Sequence, residues 1–156
     1  MADLEDLTPE MKAAIGREGA PVPHEVTTLG IRTFARAVGY TNPVYYDVEA
    51  AKAKGHRDLL SPPGYYGMPI FNPGVEPVVL DDFAPEFSRR LNGGTEYEPL
   101  QPVYAGDVLD AVTRITDLQL RASRLGQMLV RQTETVYTRQ SDGVVVGYWR
   151  NTNLRY

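Results

Sequence analysis

Apolar residues recur at helical spacing through the first third of the chain and at strand spacing through the last third, with a proline- and glycine-rich stretch between. Thr8-Pro9-Glu10 ahead of Met11-Lys12-Ala13-Ala14-Ile15 reads as an N-cap, a proline at the first helical position and a short helix closed by Gly16. Residues 1–20 are therefore expected to form a helical arm. After a breaker stretch from Gly19 to Pro23, Thr27-Thr28 caps a second helix that carries Ile31, Phe34, Ala35 and Val38 on one face and ends at Gly39. A loop at Thr41-Asn42-Pro43 leads to a third helical piece, Val48 to Lys54, stopped by Gly55.

Prolines and glycines, among them Gly64, Gly67, Gly74, Gly93 and Gly94, crowd residues 61–102, so regular structure there is expected to be short and loop-rich, with no long helix. From Asp107 onward three segments rich in Val, Thr, Leu and Tyr predict long strands: Val108 to Leu118, Gln127 to Arg139 and Val144 to Arg155. Ser123 to Gly126 joins the first two. Ser141-Asp142-Gly143 joins the last two as a tight hairpin, Asp-Gly supplying the positive φ angles of such turns. Helices first and an antiparallel meander second make an α+β layout, a curved sheet around a short helix.

The 156 residues, 42% of them hydrophobic, suit a single domain spanning 1–156. The longest apolar runs, Val144-Val145-Val146 and Pro77 to Leu80, fall far short of the roughly 20 residues of a membrane span, and Met1 to Glu5 is acidic rather than a basic leader, so a cytoplasmic protein without membrane contact is expected. The absence of cysteine removes disulfides, thiolate chemistry and cysteine-ligated metal. A net charge of −4 argues against nucleic acid and for small molecules or proteins as partners. Ten tyrosines and one tryptophan suit a ligand cleft or a subunit interface.

The most informative stretch is Tyr40-Thr41-Asn42-Pro43-Val44-Tyr45-Tyr46-Asp47, followed by Ala51, Gly55 and Pro62-Pro63-Gly64. It resembles the hydratase motif of the MaoC-like enoyl-CoA hydratases, D-x-N-P-x-H-x-D with a spaced Ala, a Gly and a His-Gly. Asn42, Pro43, Asp47, Ala51 and Gly55 match. Leu91 to Glu98, with Gly93-Gly94, and the Pro102…Gly106-Asp107 turn resemble the segment preceding the long strands of the same proteins. The resemblance implies a single hotdog fold, a curved antiparallel sheet wrapped around a central helix.

At the two catalytic positions of that motif stand Tyr40 and Tyr45. The resemblance assigns the family's Asp and His there to activating water for addition across an enoyl thioester. A phenol of pKa about 10 is protonated at neutral pH and replaces neither as general base. In the N-terminal dehydratase-like subfamily a motif-poor hotdog pairs with a motif-bearing one. The resemblance thus implies a non-catalytic subunit of a heteromeric hydratase or 3-hydroxyacyl dehydratase, a dimer or higher oligomer, whose partners are a motif-bearing MaoC hotdog subunit and an acyl-CoA or acyl-carrier thioester. No cofactor is implied beyond that thioester substrate. It also points to Gly64, at the start of the central helix, as oxyanion donor, and to Asn42, Tyr45, Asp47, Gly64 and Tyr65 as the substrate-binding set.

Simpler roles stand beside these. Asn-Pro initiates turns and Asp47 suits a helix cap. His24 and His56 sit in polar settings that suit surface histidines and give no metal-ligand spacing. Glu96 and Glu98 alternate with Thr95 and Tyr97 as strand residues do, so at most one is expected at a cleft; a carboxylate there would suit a stand-alone acyl-CoA thioesterase. Lys52, Lys54 and Arg57, or Arg121 and Arg124, would suit CoA phosphates. A non-catalytic acyl-CoA-binding or oligomerisation module is the third alternative.

Overall fold

The computed structural model describes residues 7–70, 72–73, 80, 82–124 and 126–156. The acidic start Met1 to Glu5, Gly74 and most of the Pro77 to Leu80 run lie outside the described residues. The chain order is α1 (Pro9–Ala14), β1 (Val22–Glu25), α2 (Thr28–Val38), a 3₁₀ turn (Pro43–Tyr45), α3 (Val48–Ala53), β2 (Met68–Pro69), β3 (Arg90–Pro99), β4 (Val108–Ser123), β5 (Gly126–Arg139) and β6 (Val145–Arg155).

Each predicted helix forms where its cap sits. Thr8 Oγ1 accepts the Met11 amide at 3.2 Å, Thr27 Oγ1 accepts that of Gly30 at 3.0 Å, and Gly39 closes α2. The arm packs rather than projecting: Leu7, Met11 and Ala14 are buried in a cluster with Phe83, Phe87, Ile115, Leu118, Leu120 and Leu129. Only Ile31 and Ala35 of α2 are buried, whereas Val38, expected on the same face, is half-exposed. Among the described residues no helix is long and apolar enough to cross a membrane.

The strands form one antiparallel sheet in the order β2-β1-β4-β5-β6-β3. Two expectations about the breaker regions are corrected. The stretch from Gly19 to Pro23 runs into β1, and residues 61–102 contain β3, a ten-residue strand. β3 tolerates its breakers because it is an edge strand: Pro99 stands at its end, where a missing N–H costs no ladder bond on the open side, and Gly93 is taken up in a bulge between Asn92 and Gly94. The β5–β6 hairpin is also wider than expected. Its closing bonds are Gly143 N–H to the Arg139 carbonyl at 2.8 Å and Arg139 N–H to the Val144 carbonyl at 2.9 Å, and only Gly143, not Asp142, has positive φ.

Register decides what each side of the sheet does. Ala111, Tyr137, Gly147 and Pro99 align in one row, and Thr113, Thr135, Trp149 and Tyr97 in the next row on the same face. That face receives Ile31 and Phe34 of α2, with Val26, Leu59, Tyr65 and Tyr66, in the larger core cluster. The opposite face carries the row Arg114, Glu134, Arg150 and Glu96.

Candidate functional site

The segment from Gly39 to Asp47 is shaped by its own side chains. Asn42 Oδ1 accepts the Val44 amide at 3.2 Å, so Pro43 begins the 3₁₀ turn in a position where its missing N–H is not needed. Asp47 Oδ1 accepts the amides of Glu49 at 2.8 Å and Ala50 at 3.3 Å, capping α3. Both motif residues therefore serve as caps. The turn brings the Tyr40 and Tyr45 rings to 5.9 Å between centroids. Tyr40 is 37% exposed and its carbonyl accepts the Tyr46 hydroxyl, while Tyr45 packs against the larger core cluster. Burial, followed by the neighbouring Tyr40 and Tyr97 phenols, pushes the Tyr45 pKa up. The shift moves it further from acting as a base near neutrality.

Tyr45 opens onto a cavity of about 330 Å³. Tyr65 and Tyr97 share its wall, Ser61 and Gln101 add polar atoms, and Leu60, Pro63 and the segment 99–103 complete it. No carboxylate or imidazole is among these lining residues. The Ser61 hydroxyl donates to the Tyr65 carbonyl at 2.6 Å and is thereby engaged. Of the substrate-binding set read from sequence, Tyr45 and Tyr65 line the cavity; Asn42, Asp47 and Gly64 do not.

Gly64 begins no helix. The Tyr65 amide donates to the Pro62 carbonyl at 3.1 Å, with Pro63 second and Gly64 third at φ +87°, a turn that asks for proline and then glycine in those places. A left-handed residue cannot open an α-helix, so the helix-end amides expected of an oxyanion donor are absent from this position. The helix against the sheet is α2 instead.

The turn delivers two consecutive tyrosines in opposite directions. Tyr65 packs against Phe34 with tilted rings 5.2 Å apart and sets its hydroxyl over Gly30 of α2, where a Cβ would collide with it. Tyr66 stacks on Tyr137 at 4.3 Å and sets its hydroxyl over Gly147 of β6, where a Cβ would collide with it. Among the described residues the Tyr65 hydroxyl has no hydrogen-bond partner, whereas that of Tyr66 faces the Tyr97 phenol. Burial, with the Tyr97 phenol beside it, pushes the Tyr66 pKa up, and burial raises that of Tyr65. The pair rivets the helix layer to the sheet. Sequence reasoning passed over Tyr66, Tyr97 and Tyr137; the glycines at 30 and 147, inside a helix and a strand, were the signal that something large approaches there.

The remaining candidates are placed elsewhere. Glu96 and Glu98 share the face opposite Tyr97, because residues two apart in a strand point the same way, and of the two Glu96 is the one that lines a cavity. Both bind Arg150, at 2.9 and 2.7 Å, and Arg150 also holds Glu134 at 2.8 Å. Glu96 and Glu134 line a second, polar cavity of about 490 Å³ and not the tyrosine-lined one. His24 is half-buried in edge contact with Tyr137 at 5.5 Å, not a surface residue, and burial lowers its pKa. His56 Nδ1 meets the Tyr104 hydroxyl at 3.2 Å. Arg57 pairs with the buried carboxylate of Asp107 and lies 4.6 Å from the Tyr104 ring, Lys52 pairs with Glu49 at 3.2 Å, and Arg121 donates to Gln119 at 2.8 Å. Lys54 and Arg124 are exposed.

The chain matches the sequence pattern described as "FAS1-like, dehydratase domain region" over residues 13–147. It is 33% identical to a UPF0336 protein of Thermobifida fusca over 118 residues, 76% of each chain. It is 38% identical to a UPF0336 protein of a Parafrankia strain over 125 residues, 75% of this chain and 76% of the other. Among solved structures, a chain of the ChsH1-ChsH2 complex from Mycobacterium tuberculosis superposes with a TM-score of 0.71 at 20% identity, covering 94% of this chain and 92% of that one. A chain of the HadBC (3R-hydroxyacyl-ACP dehydratase) complex from the same organism gives 0.68 at 24%, covering 90% and 96%. At these identities the structural likeness shows the fold, which is hotdog.

Proposed function

Because this chain belongs to the FAS1-like dehydratase-domain family and carries the hotdog fold of the MaoC-like dehydratases, we propose that it is the non-catalytic subunit of a heteromeric enoyl-thioester hydratase or 3-hydroxyacyl dehydratase. Its part is to complete the assembly and shape the acyl pocket, while a motif-bearing hotdog partner brings the acid and base. One observation carries this reading: Tyr40 and Tyr45 hold the two acid–base positions of the motif, and the cavity beside them is lined by phenols, a hydroxyl, an amide and apolar groups. Hydration of an enoyl thioester needs a group that takes a proton from water near neutral pH, and Tyr45, its pKa pushed above the ordinary value of 10, does not. The substrate is an acyl-CoA or acyl-carrier thioester, and no further cofactor enters.

Two of the similar solved structures are complexes of separately named subunits, which supports a hotdog partner. The thioesterase alternative loses its best candidate, since the Glu96 carboxylate is bound to Arg150 on the far face of the sheet from Tyr45. The test is hydration of crotonyl-CoA and longer enoyl-CoAs by the chain alone and co-expressed with a motif-bearing hotdog protein, with the mass of the complex measured in parallel. Turnover by the heteromeric complex and none by the chain alone is expected; turnover by the chain alone overturns the reading.

A further inference from the structure

Tyr97 forms part of the wall of the cavity beside Tyr45, and the rings packed against Tyr97 hold that wall in place. The Tyr97 ring lies 5.1 Å from Tyr66 and 6.5 Å from Trp149, its edge-to-face neighbour across β3 and β6. Tyr66 is itself backed by Tyr137 at 4.3 Å, and Tyr137 by His24 at 5.5 Å. Four rings in succession fill the inner face of the sheet from the cavity to β1. Close-packed rings cannot swing aside without opening a void, so the wall is fixed rather than a gate. At about 330 Å³ the space in front of it stands at the small end of the roughly 300–1,000 Å³ typical of ligand sites.

We propose that this cavity takes a short acyl group, with Tyr97 as the end wall that sets the length limit. The inference deepens the acyl-thioester reading above and rests on it. Leu60, Pro63, Pro99 and Leu100 offer the apolar surface an alkyl chain requires, while Tyr45 and Gln101 supply polar atoms for the thioester end. A longer chain meets the Tyr97 ring and must either fold back or leave apolar carbon in water. Tyr97 acts here through its ring volume and not its hydroxyl.

The chain carries its own reporter, because Trp149 is its only tryptophan and stands edge-to-face with Tyr97. Binding of butyryl-, octanoyl- and palmitoyl-CoA is measured by Trp149 fluorescence and by calorimetry, on the chain alone and on its complex with a motif-bearing hotdog protein. Butyryl-CoA is expected to bind roughly tenfold or more tighter than palmitoyl-CoA, a discrimination within reach of a hydrophobic pocket. Tyr97→Ala should erase or reverse that preference, Tyr97→Leu should weaken it should the alanine variant misfold, and Tyr97→Phe should leave it unchanged. Palmitoyl-CoA binding as tightly as butyryl-CoA in the wild-type protein overturns the length limit and leaves the acyl-thioester reading standing. An unchanged preference in both Tyr97→Ala and Tyr97→Leu overturns the role of Tyr97. Failure of every acyl-CoA, and of the same acyl groups carried on acyl-carrier protein, to bind in chain and complex alike overturns the acyl-thioester reading and this inference with it.

Discussion

At one end of the inner sheet face Leu118, Leu120 and Leu129 meet Phe83, Phe87 and Met11; at the other, Tyr66, Tyr97 and Tyr137 meet Tyr65, Val26 and Ile31. Between them lies a hydroxyl contact, Thr113 to Thr135 at 2.8 Å. The aliphatic end gains stability mainly from burial, is covered by the α1 arm, and pairs the buried guanidinium at its margin, Arg155, with the Phe87 carbonyl at 3.1 Å. The tyrosine end sets phenol hydroxyls inside its core, and that of Tyr65 has no partner among the described residues. A fold retains such groups where a surface must be polar at its tip and apolar along its body, which is what a ligand wall needs. The division teaches that one end of this sheet holds the molecule together and the other is shaped for what it meets.

The comparison breaks if the two ends respond alike. The largest effect is expected for Leu129→Ala, fully buried at the aliphatic end: a loss of about 2–5 kcal/mol in urea unfolding with acyl-CoA affinity unchanged. Next is alkaline pH. Burial pushes the Tyr137 pKa up to about 12, so above pH 10 the unfolded chain gives up this proton first. Stability is therefore full below pH 10 and falls as pH rises towards 12, by about 2–3 kcal/mol from this group; unfolding curves between pH 9 and 12 check it, and Tyr137→Phe should flatten them. A third variant, Tyr65→Phe, removes a buried hydroxyl that has no partner among the described residues and should gain about 1 kcal/mol, read as a rise in Tm. A loss in Tm would mean that the hydroxyl has a partner, and the contrast between the two ends would narrow. The smallest effect is Thr8→Ala, which removes the α1 cap and should cost about 1 kcal/mol, loosening the cover of the aliphatic end alone.

Much of the local structure was legible because its causes are local. Thr8, Thr27 and Asp47 cap the helices they precede, and the Val-, Thr- and Tyr-rich runs after Asp107 became β4, β5 and β6. β3 was legible only in the alternation of Thr95 to Glu98, and its full length was hidden because edge position and a bulge excuse Pro99 and Gly93, neither of which is written in the segment itself. The motif at Asn42 to Asp47 was legible as a pattern, and the structure gives Asn42 and Asp47 capping duties. Tyr45 and Tyr65 were placed at the site from sequence, but Tyr97 and the segment 99–103 reach it only through the register of β3 on β6, which no local signal carries.

Tyr66 and Gly147 occupy the same space, one by filling it and the other by leaving it open. Neither position is therefore free to vary by itself: a side chain at 147 displaces the ring at 66 and strikes the Glu98 carbonyl, and a short residue at 66 leaves a hole beneath 147. Tyr65 and Gly30 are bound by the same rule. Seen as inheritance, the rivet is two linked choices rather than four residues, and a lineage that enlarges either glycine must first have shortened the tyrosine that stands over it.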